Sequence, residues 1–451
     1  MYFMAEGLQV EISYKQIGKI ALPIALAMLV PQLNLITNSI FLGHYSEESL
    51  AVAALTGVYY LVFAGIGYGL NNGLQTLISR RAGENRPEEI GKIFTQGVIT
   101  SLFIAVAGIT ITELITPPIL KAFLSVEQAN KSIGFLRIRI LGLPFLYVYQ
   151  LRNALLVGIN QSRYLIIGTV AEAVTNVFFD YTLIFGKLGF PAMGFNGAAE
   201  SSIIAEFTGM IVIFWVISRK GIAKKFSLFS SLKLNKGMAR LVLRISGPLA
   251  FQHAGSVLSW FFFYMLIARN ASQTGLAIST TVRTVFGFFG TAFWSLAATT
   301  NSMVSNIIGQ DRRDHVIDLI WKISKLSLVI AAIVCGVLNF FPDVYLSLFR
   351  PHDAMFIKEG IPVIRLIGVV MLFLSIGTVW LNAVTGTGNS RVTFMVEIGA
   401  LIFYCIYVFV VLEVKHLSIL WGWLSEVLYW TVLFSLSYFY MISRRWKTTV
   451  I

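Results

Sequence analysis

Apolar stretches of about 20 residues, the length an α-helix needs to cross a hydrocarbon core of roughly 30 Å, recur about twelve times along this sequence. They fall near 17–42, 50–78, 92–115, 134–159, 164–186, 195–218, 243–268, 274–305, 322–345, 361–385, 392–412 and 417–442, between charged or Gly/Pro-marked breaks. Only 13% of residues are charged, about half the share found in soluble domains. The runs are continuous rather than alternating with period two, which argues against a membrane β-barrel. The pattern predicts an all-α polytopic membrane protein with twelve transmembrane helices.

The N-terminal apolar segment continues from "IGKIALPIALAML" into a full span without a small-residue cleavage site, so it reads as a first helix rather than a removed signal. Cys335 and Cys405 both fall inside spans, where a thiol behaves as a small hydrophobe. With both termini on the cytoplasmic side, 23 of the 35 Lys and Arg residues lie in cytoplasmic segments and 7 on the opposite face. The positive-inside rule therefore predicts cytoplasmic termini and, for a bacterial chain, the inner (plasma) membrane. The densest basic stretch, "SRKGIAKKFSLFSSLKLNKGMARLVLR", reads as a cytoplasmic loop against anionic lipid, and no nucleic-acid partner is expected.

Four landmarks recur in order at a spacing near half the chain. "ALPIALAML" around Pro23 matches "SGPLAFQHA" around Pro248, and "LISRRAGENR" matches "MVSNIIGQDR", pairing Ser79 with Ser305, Gly83 with Gly309 and Arg86 with Arg312. Arg139 in "RILG" pairs with Arg365 in "RLIG", and "GINQSR" matches "GTGNSR", pairing Gly158 with Gly386 and Arg163 with Arg391. The offsets lie between 225 and 228. Such a repeat predicts two six-helix lobes, 1–218 and 242–451, joined by a cytoplasmic linker at 219–241. An even number of spans per repeat gives both lobes one orientation, related by a pseudo-twofold axis along the membrane normal, an arrangement suited to alternating access.

Ionisable groups at bilayer depth are costly and normally face a cavity or a partner. In "AEAVTNVFFDYTLIFG" Glu172, Asn176 and Asp180 are spaced i, i+4, i+8 and form a polar stripe down one helical face. The next span brings Ser202 to the depth of Asp180 and Glu206 one turn further in, so Glu172, Asp180 and Glu206 can share one cavity; Glu200 faces elsewhere. Clustered carboxylates at low dielectric suit the loading and release of a proton, and oxygen ligands from Asp, Asn and Ser suit a hard cation such as sodium. The alternative for each acid is structural pairing with a buried arginine such as Arg152 or Arg283. In the second half, His253, Arg283, Glu397 and Glu426 also lie within spans, with Arg283 and His253 as candidate counter-ion or substrate contacts. Aromatic-rich runs such as "SWFFFYMLI" serve packing, with room for an amphiphile pocket.

"NVFFDYTLIFGKLGFPAMGFNGAAESS", the opening "ALPIALAML" with "NSIFLGHYSEESLAVAAL", and the paired loops "SRRAGEN" and "GINQSR" resemble the multidrug and toxic compound extrusion (MATE) transporters over nearly the whole chain. "DYTLIFGKLGFPAMG" is similar to the damage-inducible bacterial branch. The resemblance implies a two-lobed twelve-helix exporter that expels organic cations and other amphiphiles in exchange for sodium or protons. It also implies a cation site in the N-terminal lobe at Asn176, Asp180 and Ser202, with a first-helix position that falls on Asn38 where the family usually has Asp. An amide cannot exchange a proton, so the coupling burden shifts to Asp180, Glu172 and Glu206.

The expected function is thus a cation-coupled antiporter, driven by H+ or Na+, for amphiphilic compounds; it acts as a monomer amid membrane lipid and uses no cofactor. A lipid-linked oligosaccharide or lipid flippase is the alternative, kept open by Arg137, Arg139, Arg152 and Arg283. A membrane transferase is disfavoured because the sequence has neither a DDxxD-like acidic pair nor an H-E-x-x-H motif.

Overall fold

A computed structural model of the chain describes residues 7–45, 47–350 and 353–449, with the side chains of 33–36, 38–40, 43–45, 47–51 and 54 outside the described set. Long helices follow the sequence spans in order. They are α1 (Tyr14–Tyr45), α2 (Glu47–Gly83), α3 (Pro87–Leu114), α4 (Val126–Ile140), α5 (Leu143–Gly158), α6 (Leu165–Phe185) and α7 (Phe195–Arg219), then α8 (Lys236–Asn270), α9 (Gln273–Gly309), α10 (Val316–Phe340), α11 (Ala354–Gly386), α12 (Ser390–Val408) and α13 (Ser425–Ile442). Among the described residues eight helices are individually long and apolar enough to cross a bilayer.

One predicted span is broken. The stretch expected at 134–159 is the pair α4 and α5, bent by 50°. Pro144 sits in the first turn of α5, where its missing N–H costs nothing but its ring opposes continuation of the preceding helix. At the far end of α6, Gly186 adopts φ +66°, the left-handed geometry that closes a helix without a Cβ clash. α12 runs on into a wider π turn, Phe409–Val414.

The sequence repeat is visible in the backbone. Asn85 and Asp311, 226 residues apart, both end their helices at positive φ (56° and 59°), and Asn160 and Gly388, 228 apart, do the same at 61° and 90°. These are positions where Asn, Asp or Gly tolerate the left-handed region.

The chain divides into two compact units. One is Leu22–Ala254 with the stretch ending at Gln9; the other is Val10–Ala21 with the stretch beginning at Gly255. The division therefore falls inside α8 rather than at the 219–241 linker. Glycines explain it. A Cβ at Gly69 of α2 would stand 2.2 Å from the Ala250 nitrogen, and one at Gly73 would stand 2.3 Å from Ser246 Oγ. Only backbone without side chains lets α2 and the first half of α8 pack this closely. The linker is itself fastened to α3: Phe229 N donates to Thr95 Oγ1 (3.0 Å), and Gln96 bonds both Lys233 O (2.9 Å) and Asn235 N (3.0 Å). In the other unit, Val10 N donates to Asn306 Oδ1 (3.1 Å) and Gln310 Nε2 to Val10 O (3.0 Å).

Burial is arranged for lipid. Phe340 and Phe439 are 80% and 69% exposed on their helices, while Asn301 and Thr299 are fully buried. Buried hydroxyls satisfy themselves on the preceding turn, as Thr299 Oγ1 does on Ser295 O (2.8 Å) and Thr300 Oγ1 on Leu296 O (2.7 Å).

Candidate functional site

α6 and α7 form a tight antiparallel hairpin in the N-terminal unit. Gly197 makes this possible, since a Cβ there would meet the Leu183 carbonyl at 2.8 Å. The hairpin brings the polar stripe of α6 against α7. Asp180 is fully buried, and the Ser201 hydroxyl donates to its Oδ1. Asn176, also buried, reaches the same hydroxyl from Nδ2 at 3.4 Å. Asp180, Asn176 and Ser201 thus form one oxygen-rich cluster.

The hydroxyl in this cluster is Ser201, not Ser202. Ser202 is half-buried and donates to Ala198 O of its own helix at 2.9 Å. Depth counted from the helix end puts Ser202 at the level of Asp180, but one residue step turns the side chain by about 100°, and Ser201 is the one that meets it. Asn38, the first-helix position, lies outside the residues whose side chains are described.

Glu206 belongs to a different constellation. It is 4% exposed and pairs with Arg139 of α4 through Nη2 to Oε1 (2.5 Å) and Nη1 to Oε2 (3.0 Å). Tyr60 of α2 completes it: its hydroxyl donates to Glu206 Oε1 at 3.4 Å and its ring lies 3.8 Å from the Arg139 guanidinium carbon. Ser201 and Glu206, five residues apart, sit about 140° apart around the helix. Asp180 and Glu206 consequently face different partners rather than one shared pocket. The arginine that meets Glu206 is Arg139, neither of the two the sequence reading offered as structural partners.

Glu172, half-buried, lies about two turns along α6 from Asp180. Gly209 of α7 lets it in: a Cβ there would be 3.0 Å from Glu172 Cβ and 2.9 Å from the Tyr149 ring. The Glu172 carboxylate interacts with Tyr149 and Arg152 of α5 and lies within electrostatic reach of Glu206 and Arg139. Arg152 is 3% exposed; it stacks on the Tyr149 ring at 3.5 Å and donates to Thr169 Oγ1 (2.8 Å) and Asn153 Oδ1 (3.3 Å), leaving Nη1 without a partner. Along the α6 stripe, Asn176 and Asp180 thus share Ser201, while Glu172 is served by Tyr149 and Arg152.

The two remaining candidates have other partners. His253 pairs with Asn72 through Nε2 at 3.0 Å in the N-terminal unit. Arg283 is exposed on α9, its guanidinium 5.4 Å from the Tyr264 ring. Sequence reasoning missed Tyr60, Tyr149 and Ser201. The signal for Tyr149 was present: it and Arg152 are one turn apart on the helix that packs beside the stripe.

A family model, MatE, matches residues 23–182 and again 248–410, most of the chain in two copies. The chain belongs to the MatE family. Its members are multidrug efflux transporters, and the double match coincides with the repeat read from the landmarks. Among curated proteins, this MatE chain is 24% identical over 439 residues to a probable multidrug resistance protein NorM of Thermotoga maritima, covering 96% of this chain and 93% of that one. A probable NorM of Halalkalibacterium halodurans is 29% identical over 224 residues, 48% of each chain. Among solved structures, a crystal structure of MATE in complex with MaL6 superposes with TM-score 0.88 at 18% identity over 98% of both chains. A MOP-superfamily transporter from Pyrococcus furiosus, reported to have a binding pocket of reverse polarity, gives 0.85 at 19% identity, again over 98% of both. The protein thus shares the all-helical fold of these membrane transporters, twelve spans in two lobes.

Proposed function

We propose that this MatE protein is an antiporter that exports amphiphilic, chiefly cationic compounds by alternating access, coupled to an inward flow of protons or sodium ions. The observation that carries the reading is the cluster of Asp180, Asn176 and Ser201: a fully buried carboxylate backed by a hydroxyl and an amide on two helices that pack tightly together. A carboxylate at that depth is expensive as a bare anion, and the cluster offers the oxygen donors with which a proton or a hard monovalent cation offsets that cost. Asp180 carries the ion load, Asn176 and Ser201 complete its shell, and Glu172 lies about two turns further along the same stripe. Glu206, held by Arg139, serves as a partner of that pair. His253 and Arg283 are candidate contacts to substrate or counter-ion. The protein works as a monomer in the cytoplasmic membrane with both termini inside, as the distribution of Lys and Arg supports.

The test is efflux of ethidium or norfloxacin from proteoliposomes with proton and sodium gradients imposed separately, for the wild type and Asp180→Asn. Export driven by one gradient and abolished by the substitution supports the reading. Export that ignores both gradients, or survives Asp180→Asn intact, overturns it.

A second reading, a flippase for a lipid or lipid-linked oligosaccharide, is favoured by Arg152, a buried guanidinium with one nitrogen unsatisfied and suited to an anionic head group. Complementation of a flippase-deficient strain distinguishes it.

A further inference from the structure

The C-terminal unit buries two acids that the proposed site does not use. Glu397 on α12 and Glu426 on α13 are each 2% exposed. Glu397 is well served: Ser256 Oγ of α8 donates to its Oε1 at 2.7 Å and the Tyr429 hydroxyl of α13 at 2.6 Å. Glu426 is not. Its hydrogen bond comes from the indole Nε1 of Trp430, one turn along the same helix, at 3.0 Å.

Two further groups line the space beside it. The Tyr404 hydroxyl, on a side chain 2% exposed, and the Ser425 hydroxyl, on a fully buried residue, have no partner beyond one another. They lie beside one another, and Tyr404 is within electrostatic reach of Glu426. The ring of Tyr404 is held edge-on by Tyr429 at 5.9 Å and tilted against Phe263 at 6.2 Å, so its hydroxyl is kept in place by packing. A buried carboxylate with a single neutral donor is costly as an anion, and the two hydroxyls beside it, served only by one another, keep free acceptor lone pairs. A proton on Glu426 answers both, because the acid then gains an O–H to donate toward one of those lone pairs while its carbonyl oxygen keeps the indole bond.

We propose that Glu426, with Tyr404, Ser425 and Trp430 around it, is a second proton-loading site, lodged in the C-terminal unit. The step is one of binding alone: a proton from water adds to the carboxylate, forming the O–H bond, and on release returns to water, leaving the anion. The titratable groups that sense it are Tyr404 from α12, Tyr429 from its own helix and Tyr264 from α8; Glu397 of α12 lies beyond Tyr429 and Arg283 of α9 beyond Tyr264. α11, whose Gly377 packs against Trp430, has no ionisable side chain between Leu366 and Gly386. The inference rests on the proposed antiport for its use in transport, not for the binding itself.

The experiment follows tryptophan fluorescence of the full-length protein in nanodiscs as a function of pH, since protonation of Glu426 alters the environment of the Trp430 indole. The expected result is a pH-dependent component present in the wild type and lost in both E426Q and W430F. It should be unmoved when sodium chloride replaces choline chloride at constant pH. Y404F, which keeps the acid and the ring, should shift the midpoint. In proteoliposomes under a proton gradient, E426Q should flatten the pH dependence of efflux. A titration that persists unchanged in E426Q, a signal set by sodium at fixed pH, or an unshifted midpoint in Y404F overturns the proposal. If E426Q does not fold, the Y404F midpoint and the sodium arm decide it. If the wild type titrates yet shows no gradient-driven efflux, the antiport reading fails and the proton site stands.

Discussion

Arg139 and Glu206 meet as a two-point ion pair, guanidinium edge to carboxylate edge, with side chains only 11% and 5% exposed. The pair sits at the break between α4 and α5, where a Cβ on Gly142 would touch both Arg139 Nη1 and Glu206 Oε2 at 2.9 Å. It therefore ties α7 to the bent span, with the ring of Tyr60 from α2 beneath the guanidinium.

Breaking such a pair from one side leaves a buried charge unanswered. Glu206→Ala or Arg139→Ala alone should each destabilise the protein by about 3–5 kcal/mol, whereas Arg139→Met combined with Glu206→Leu should recover most of the loss. Thermal unfolding of the four proteins in detergent checks this. Single variants no less stable than the double one would show that the pair is not the tie described.

Ser201 and Ser202 are adjacent but not equivalent. Ser201→Ala removes the hydroxyl that reaches Asp180 and should impair gradient-driven efflux; Ser202→Ala removes a bond to its own helix and should leave efflux close to wild type. Side-by-side transport rates at matched expression decide the matter, and equal effects would contradict the assignment.

Gly69 and Gly73 set the approach of α2 to the first half of α8. Gly69→Ala forces a methyl against the Ala250 backbone and should cost roughly 1–3 kcal/mol. Gly18→Ala, in the interior of α1 with open space around it, should be neutral or stabilising by up to about 1 kcal/mol through helix propensity. Melting temperature and monodisperse yield are the readouts.

Asp314 lies in the exposed turn between α9 and α10, and the Lys447 ammonium donates to it from the C-terminal turn. That hydrogen bond, reinforced by the lysine's charge, holds the Asp314 carboxyl below the usual aspartate range. Its folded-state value is depressed, so the attraction is complete above the unfolded aspartate value and lost as pH falls through the folded one. Acidification should speed amide exchange at Trp446–Thr448. Asp314→Asn should remove that acid dependence, and high salt should weaken it. Hydrogen exchange measured across the acid range, corrected for intrinsic rates, tests the sign directly.

Much of the molecule was readable from residues alone. Span positions and helical class follow from local hydropathy and period. The repeat follows from landmarks whose backbone role, a left-handed helix end at Asn85 and again at Asp311, restricts residue type. The line of Glu172, Asn176 and Asp180 follows because i, i+4, i+8 spacing places side chains on one face whatever surrounds the helix. The family, too, was legible in motifs spread over both halves.

What only the tertiary structure decided is which side chain answers which. Helix rotation selects Ser201 over Ser202, the bend after Arg139 delivers that arginine rather than another to Glu206, and bare glycines on α2 draw half of α8 into the N-terminal unit. Each depends on how two helices turn about their axes and how closely they approach. Neither quantity is written in the period or hydropathy of a single helix, because both are set by the packing of the side chains between them.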